Sequence, residues 1–154
     1  MTLELMLDTE ITTDIDVADA QGNRPLHEAC RYGHLDTVRL LLSAGARTDC
    51  RHEPLGVTPL LLACEKGSAE IARHLIRHGA NVNQRHRLSG QTALHIAAAG
   101  GDVLTAGVLL AAGAQAFAED RDGKTPRDYA AQSGHTDLEH ILIKVMIHRC
   151  LYHT

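Results

Sequence analysis

Apolar residues along this chain recur with the spacing of amphipathic helices. Leu26, Ala29 and Cys30 stand at i, i+3 and i+4, which predicts a short helix with one narrow apolar face. Pro25 precedes them, where it presets the φ angle of a first helical turn. Gly33 follows them, as a glycine just past a helix usually does. The pattern therefore predicts a short helix that must bury one side.

A second helix is predicted directly after the first. Val38, Leu41 and Leu42 share one face, Arg39 lies on the other, and a glycine ends the run. Residues 46–55 have no helical period, which predicts an extended excursion to the next unit. One such helix pair cannot cover its own apolar faces, so each pair needs neighbours on both sides.

The same unit returns three more times at a period near 33 residues. The glycines that open the units are Gly22, Gly56, Gly90 and Gly123, with spacings of 34, 34 and 33 residues. We place the extra residue of the second and third units in the excursions before Gly56 and Gly90. A fixed period of this length indicates stacked repeats rather than one closed core around an active site.

The repeated residues resemble the ankyrin repeat, whose pattern is approximately G-x-T-P-L-H-x-A-A-x-x-G-H followed by a second helix with L-L. In the third unit, Thr92, Leu94 and His95 carry this resemblance, and the match covers about residues 17–144. The chain departs from the pattern at Arg24 in the first unit, Leu61 in the second, and Arg127 and Asp128 in the fourth. The resemblance implies an all-α solenoid of stacked antiparallel helix pairs with projecting β-turn or hairpin fingers.

The domain boundaries follow from the four units. They are an acidic N-terminal half-repeat or cap at 1–18, repeats at 19–51, 52–85 and 86–118, and a fourth repeat with a C-terminal capping helix at 119–154. The first segment is either such a cap or the remainder of a unit cut from a longer protein. The long apolar tail predicts a capping helix, the start of a further segment or a partner contact.

Charge and composition exclude some classes of function. Residues 1–20 hold six acids and no lysine or arginine, so the net charge of −4 becomes +2 for the remainder. This balance does not predict a nucleic-acid partner. We find no secretory segment or membrane-length apolar run, and expect an intracellular protein, cytoplasmic or nuclear, with no membrane insertion. Cys30 and Cys64 are predicted to be buried and reduced, and Cys50 to be exposed in an excursion.

Candidate catalytic and metal-binding residues have simpler explanations. His74 and His78 have a spacing that can bind zinc, but no further ligand is predicted nearby. For His27 and His95, the resemblance implies hydrogen bonds that hold adjacent units together. No phosphate-binding loop or nucleophile elbow occurs. We predict no catalytic, metal or cofactor-binding residue and no small-molecule substrate; a zinc-dependent or thiol enzyme is a remote alternative.

The resemblance instead implies a recognition surface on the fingers and first helices, where a protein or peptide binds. Carried onto this chain, the predicted partner-binding residues are Gln21, Asn23, Arg31, Tyr32, Arg51, His52, Leu55, Val57, Glu65, Lys66, Arg85, His86, Arg87, Gln91, Arg121 and Lys124.

Two of these fingers are basic. Arg47, Arg51 and His52 lie in one finger, and Arg85, His86 and Arg87 in the next. If adjacent, they form a positive ridge that attracts an acidic partner; otherwise they are scattered, solvated charges. A further alternative is that the acidic segment 1–20 of another molecule meets this surface.

The predicted function is a non-catalytic adaptor or scaffold domain that binds a protein or peptide. Two more specific alternatives in the same class stay open. One is the substrate-receptor part of a ubiquitin ligase, with the apolar tail leading into an adaptor-binding segment. The other is a kinase-inhibitory ankyrin protein, which the intact first helix of the second unit disfavours.

Overall fold

A computed structural model describes residues 15–52 and 55–152, which form eight α-helices and no β-strand. The predicted all-α solenoid is thereby confirmed. The helices are α1 (Pro25–Arg31), α2 (Leu35–Ser43), α3 (Pro59–Lys66), α4 (Ala69–Arg77), α5 (Ala93–Gly100), α6 (Val103–Ala111), α7 (Pro126–Gln132) and α8 (Thr136–Tyr152).

The helices form two layers. The first helices of the units, α1, α3, α5 and α7, contact one another in sequence, and the second helices α2, α4 and α6 do the same. One continuous core lies between the layers. Each unit contributes a fully buried leucine at the same place in its second helix, namely Leu41, Leu75, Leu109 and Leu142.

Local signals in the sequence set the helix ends. Pro59 occupies the first turn of α3, and the Thr58 hydroxyl accepts the Leu61 N–H at 3.3 Å, as an N-cap threonine does. Arg24 occupies the matching place in the first unit, where its guanidinium donates to the Asp16 carbonyl at 2.9 Å. This departure from the repeat pattern therefore ties α1 to the residues before it.

Buried histidines bridge adjacent units at two of the three junctions between the four units. The His27 Nε2 atom lies 3.1 Å from the Val57 carbonyl oxygen, and the His95 Nε2 atom lies 2.8 Å from that of Lys124. The second unit has Leu61 at this position, fully buried in the core. The junction between the second and third units therefore lacks the histidine bridge.

The excursions are extended, and their side chains alternate between buried and exposed. In the first excursion Ala46, Thr48 and Cys50 are buried, whereas Arg47 and Asp49 are exposed. The prediction that Cys50 is exposed is wrong, because the thiol is only 6% exposed. In an extended segment, side chains alternate with a period of two residues, so every second side chain points inward.

The glycines after the first helices allow close approach between units. Gly101 has a φ of 67° and lies against the next unit, where a Cβ atom would come within 2.5 Å of the His135 Nδ1 atom. Gly113 has a φ of 96° but no atom within 4 Å of that position. An alanine at Gly113 would therefore meet backbone strain alone, whereas an alanine at Gly101 would meet both backbone strain and crowding.

We expect Gly101→Ala to lower the free energy of unfolding more than Gly113→Ala. The left-handed backbone costs an alanine about 1–2 kcal/mol at either site, and displacement of the His135 ring raises the cost at Gly101 to about 2–3 kcal/mol. Urea unfolding of both variants measures the difference. Equal losses would contradict the inferred crowding at Gly101.

The two ends of the stack are the predicted half-repeat at 1–18 and the long helix α8. Most of the predicted half-repeat at 1–18 lies outside the described residues. At the other end, α8 has 17 residues, nearly twice the length of α6, and the Arg149 guanidinium donates to the Ala114 carbonyl at 2.6 Å. The apolar tail is therefore helical, and it contacts the excursion of the third unit.

Candidate functional site

Four turns project from the helix pairs as fingers, and main-chain hydrogen bonds close each of them. The Asp19 N–H donates to the Asn23 carbonyl, and the Asp120 N–H to that of Lys124. In the two central fingers the bonded residues are five apart rather than four: His52 to Val57 and His86 to Gln91. The extra residue of the second and third units therefore lies where the sequence predicts.

Neighbouring finger tips are hydrogen-bonded to each other. The Arg87 N–H donates to the Leu55 carbonyl at 3.1 Å, and the Arg121 N–H donates to the Ser89 carbonyl at 3.0 Å. Gly56 permits the first contact, because a Cβ there would lie 2.9 Å from the Arg87 Cβ. The fingers of the second, third and fourth units therefore present one continuous edge rather than independent loops.

Basic side chains of three fingers meet at one groove of about 400 Å³. Arg51, Arg85 and Arg87 line this groove, as the predicted ridge requires, and Arg121 of the next finger joins them. Arg47 does not belong to it, because its guanidinium pairs with Asp49 at 3.3 Å and its main-chain N–H donates to Asp16. We call this site, with His86 and Gln84, the finger groove.

The arginines of the finger groove are not equivalent. The Arg85 guanidinium donates to the Gly90 and Glu119 carbonyls at 3.1 and 2.5 Å, so it ties two fingers together. The side chains of Arg51 and Arg121 are exposed and make no hydrogen bond or ion pair with any residue that the structure describes. These two guanidiniums are therefore available to a carboxylate, which they can bind in bidentate geometry.

Two acids also line the finger groove, and one of them is held by the fold. The Asp120 carboxylate accepts hydrogen bonds from the Tyr129 hydroxyl at 2.5 Å and from the Asp122 and Lys124 N–H groups at 2.9 Å. Partial burial acts to raise the pKa of Asp120, but these hydrogen bonds outweigh it and the pKa is lowered. The ionised carboxylate of Asp120 thus stabilises the turn of the fourth finger. Glu119 is the exposed acid of the groove.

The Asp120 network reaches the third unit, because the Gln91 amide donates to the Tyr129 hydroxyl at 2.8 Å, a contact that the sequence does not predict. The local role of the aspartate is predictable from the sequence as that of a turn residue. In both four-residue fingers an aspartate stands three residues before the glycine, and Asp19 accepts the Gln21 and Asn23 N–H groups as Asp120 does its own. Short aspartate side chains favour such turns because they bond their own backbone.

The predicted site residues of the first unit lie apart from the finger groove. Arg31 donates to Asn23 at 3.2 Å and pairs with Glu28 at 2.6 Å, so its charge is already matched. Gln21 is exposed, and the Tyr32 ring is 59% exposed. Tyr32 therefore offers an apolar contact to a partner, at a distance from the arginines.

The remaining predicted site residues vary in accessibility. Glu65, Lys66 and Leu55 are exposed, whereas Val57 and His52 are partly buried. Lys124 is also partly buried, and its ammonium lies 5.9 Å from the centre of the Tyr129 ring. The structure thus places these residues on the first helices and fingers, and brings only the arginine cluster together at one groove.

Three of the four cysteines, Cys30, Cys50 and Cys64, have the properties of core residues, whereas Cys150 is exposed. Burial raises the pKa of the Cys30 thiol to about 12, and it also raises the pKa of Cys50 and Cys64. A buried thiol with a raised pKa is a poor nucleophile. Burial therefore makes none of these three thiols a reactive nucleophile.

One member of the histidine pair that has zinc-binding spacing makes a local contact. The His78 Nδ1 atom lies 2.9 Å from the His74 carbonyl oxygen. Within residues 15–52 and 55–152, no three histidine, cysteine or acidic side chains are grouped so that they could hold a metal ion. The same residues contain no helix with the length and apolar character needed to cross a membrane.

Comparison with known proteins gives two matches. A family model described as Ankyrin repeats (3 copies) matches residues 2–86, 46–116 and 79–149. Inversin from Danio rerio is 43% identical to this chain over 47 residues. That stretch is 30% of this chain and 5% of inversin, so the chain spans only a small part of that relative's length.

Proposed function

Because this chain belongs to the ankyrin-repeat family, we propose that it is a non-catalytic adaptor domain that captures an acidic protein segment at the finger groove. Ankyrin repeats are generally protein–protein interaction modules and are typically non-enzymatic. The observation that carries the proposal is the convergence on one groove of Arg51 and Arg121, whose guanidiniums belong to different fingers and have no partner among the residues that the structure describes. We further propose that this capture takes place inside the cell, in the cytoplasm or nucleus.

The physical basis is charge complementarity on a rigid edge. The finger tips are joined by main-chain hydrogen bonds, so little order has to be gained when a partner binds. Aspartate or glutamate of the partner would meet the guanidiniums of the finger groove, and the exposed Leu55, whose carbonyl accepts the Arg87 N–H, supplies apolar contact nearby. Since the groove is open to solvent, its attraction is screened by salt.

Reversal of charge in the finger groove tests this proposal. We expect Arg51→Glu with Arg121→Glu to weaken capture of the partner by about tenfold or more, because attraction becomes repulsion. Arg85 is left unchanged, since its guanidinium holds two fingers together. The matched control is Arg39→Glu, a reversal at an exposed arginine of the outer helix α2.

The measurement is quantitative affinity capture with the full chain as bait, followed by titration of each purified partner at low and high salt. Partners that the Arg39→Glu bait retains and the double variant loses support the finger groove. An unchanged set of partners at unchanged affinity would overturn the groove as the binding site.

A further inference from the structure

The outer helix α6 differs from its neighbours at the positions that face solvent. Helices α2, α4 and α8 have an acid at the second position and arginine or histidine at the fifth: Asp36 and Arg39, Glu70 and Arg73, Asp137 and His140. Helix α6 has Leu104 and Gly107 at these positions and contains no charged residue. Only the third unit therefore lacks a polar outer face in its second helix.

The exposed face of α6 is strongly apolar. The Leu104 side chain is 75% exposed, the largest value for any large apolar side chain in the described part of the chain, and Val103 is 42% exposed. A helix with apolar residues all round is normally covered on every side. Contiguous exposed apolar surface of this kind marks an interaction site in soluble proteins.

A groove runs between this face and helix α4. It has a volume of about 560 Å³, with Leu104, Gly107 and Val108 of α6 on one wall. A Cβ atom at Gly107 would have no atom of residues 15–52 or 55–152 within 4 Å, so the space above this glycine is open with respect to these residues. The groove shares no residue with the finger groove.

Two arginines form the opposite edge. Arg73 and Arg77 of α4 line the groove, and no acidic residue does. Arg73 pairs with Glu70 at 2.8 Å on the surface of α4, whereas Arg77 makes no hydrogen bond or ion pair with any residue in the described ranges. An occupant of this groove therefore meets an apolar wall on one side and positive charge on the other.

We propose that the groove between α4 and α6, the outer groove, binds an amphipathic partner helix with carboxylates that face Arg77. Large apolar residues of that helix, spaced at i, i+3 and i+4, pack against Leu104 and Val108 and over Gly107. Helix-in-groove recognition uses this spacing of apolar anchors. Charge complementarity with the arginine edge selects an acidic helix over a basic one.

A pair of designed helical peptides tests the proposal. Both have about 18 residues and the same leucine ridge; one has glutamates along a single edge, and the other has lysines there. By fluorescence anisotropy with the full chain, we expect the glutamate peptide to bind about tenfold more tightly than its lysine counterpart. We expect Arg77→Glu to abolish or reverse this preference.

Two variants give α6 the residues that α4 carries at the same positions: Leu104→Glu and Gly107→Arg. Each should weaken binding of the glutamate peptide by about tenfold, because it places charge on the apolar wall. The control variant is Leu40→His, which gives α2 the residue that α4 has at the matching position, His74. It should leave binding of the glutamate peptide unchanged. Far-UV circular dichroism and unfolding midpoints confirm that each variant is folded.

Several outcomes would overturn the proposal. These are equal binding of both peptides, binding that Leu104→Glu does not weaken, and failure of the glutamate peptide to bind. If sedimentation shows a dimer of the chain that Leu104→Glu dissociates, the face belongs to a second copy instead. If phosphatidylserine vesicles bind the chain through Leu104 and the peptides do not, it belongs to a lipid surface.

Discussion

Replacement of Leu41 by alanine is expected to lower the free energy of unfolding by about 2–5 kcal/mol. The Leu41 side chain is fully buried between the two layers, at the position that every unit fills with leucine. Truncation removes apolar contacts on several sides and leaves a cavity that the flanking helices cannot close without moving. Because the loss is comparable with the whole stability of a small domain, the variant will be partly unfolded at physiological temperature.

The adjacent residue is the control for this variant. Leu40 precedes Leu41 on the same helix and is 36% exposed, so Leu40→Ala should cost less than about 1 kcal/mol. Chemical denaturation monitored by circular dichroism compares the two at equal helix propensity. A similar loss for both would contradict the assignment of Leu41 to the inner face of α2.

Replacement of His95 by leucine is the second large expected effect, about 2–4 kcal/mol at pH 7.5. The Nε2–H group donates to the Lys124 carbonyl, and Nδ1 accepts hydrogen bonds from the Thr92 N–H at 3.0 Å and its hydroxyl at 2.9 Å. Leucine fills the space, as Leu61 does in the second unit, but it leaves these buried groups without partners.

The cost of His95→Leu should shrink as the pH falls. Burial, together with neighbouring positive charge, lowers the pKa of His95, because the folded chain holds the neutral imidazole. The unfolded chain therefore binds the proton more readily, so the stabilisation is complete above about pH 6.5 and declines below it. At pH 5 the variant and the wild type should differ less than at pH 7.5.

Urea unfolding at several pH values measures both effects, and His140→Leu on the exposed side of α8 is the control. We expect the control to change the unfolding free energy little at any pH. A constant difference between His95→Leu and the wild type from pH 7.5 to pH 5 would show that His95 has the same pKa folded and unfolded, contrary to its burial.

The fold could be predicted from the sequence because the repeats constrain each other. Glycines, helix-capping threonines and leucine pairs recur in the same register. A wrong helix assignment in one unit would therefore conflict with the pattern of the other three. The error at Cys50 arose where the helical period ends. There the relevant pattern is the alternation from Ala46 to Cys50, which five residues express too briefly to stand out.

The candidate sites were less predictable, since they depend on distances between units. The ridge of arginines could be suspected from two adjacent fingers, but the sequence does not reveal that the Arg47 guanidinium pairs with Asp49 or that Arg85 joins two fingers. The sequence also does not reveal the groove beside Leu104, because an apolar residue in an apolar helix is expected to be buried in the core. Burial, and therefore function, depends here on which neighbour stands beside the helix.

The missing histidine at Leu61 gives the stack an uneven response to acid. Burial lowers the pKa of His27 as well as that of His95, so protonation weakens the first and third junctions together. At the middle junction the buried Leu61 takes the place of the histidine, so this position has no group that acid can protonate. Acid should therefore release the two end units first and leave the central pair as the last cooperative block, an order of unfolding that runs inward from both ends.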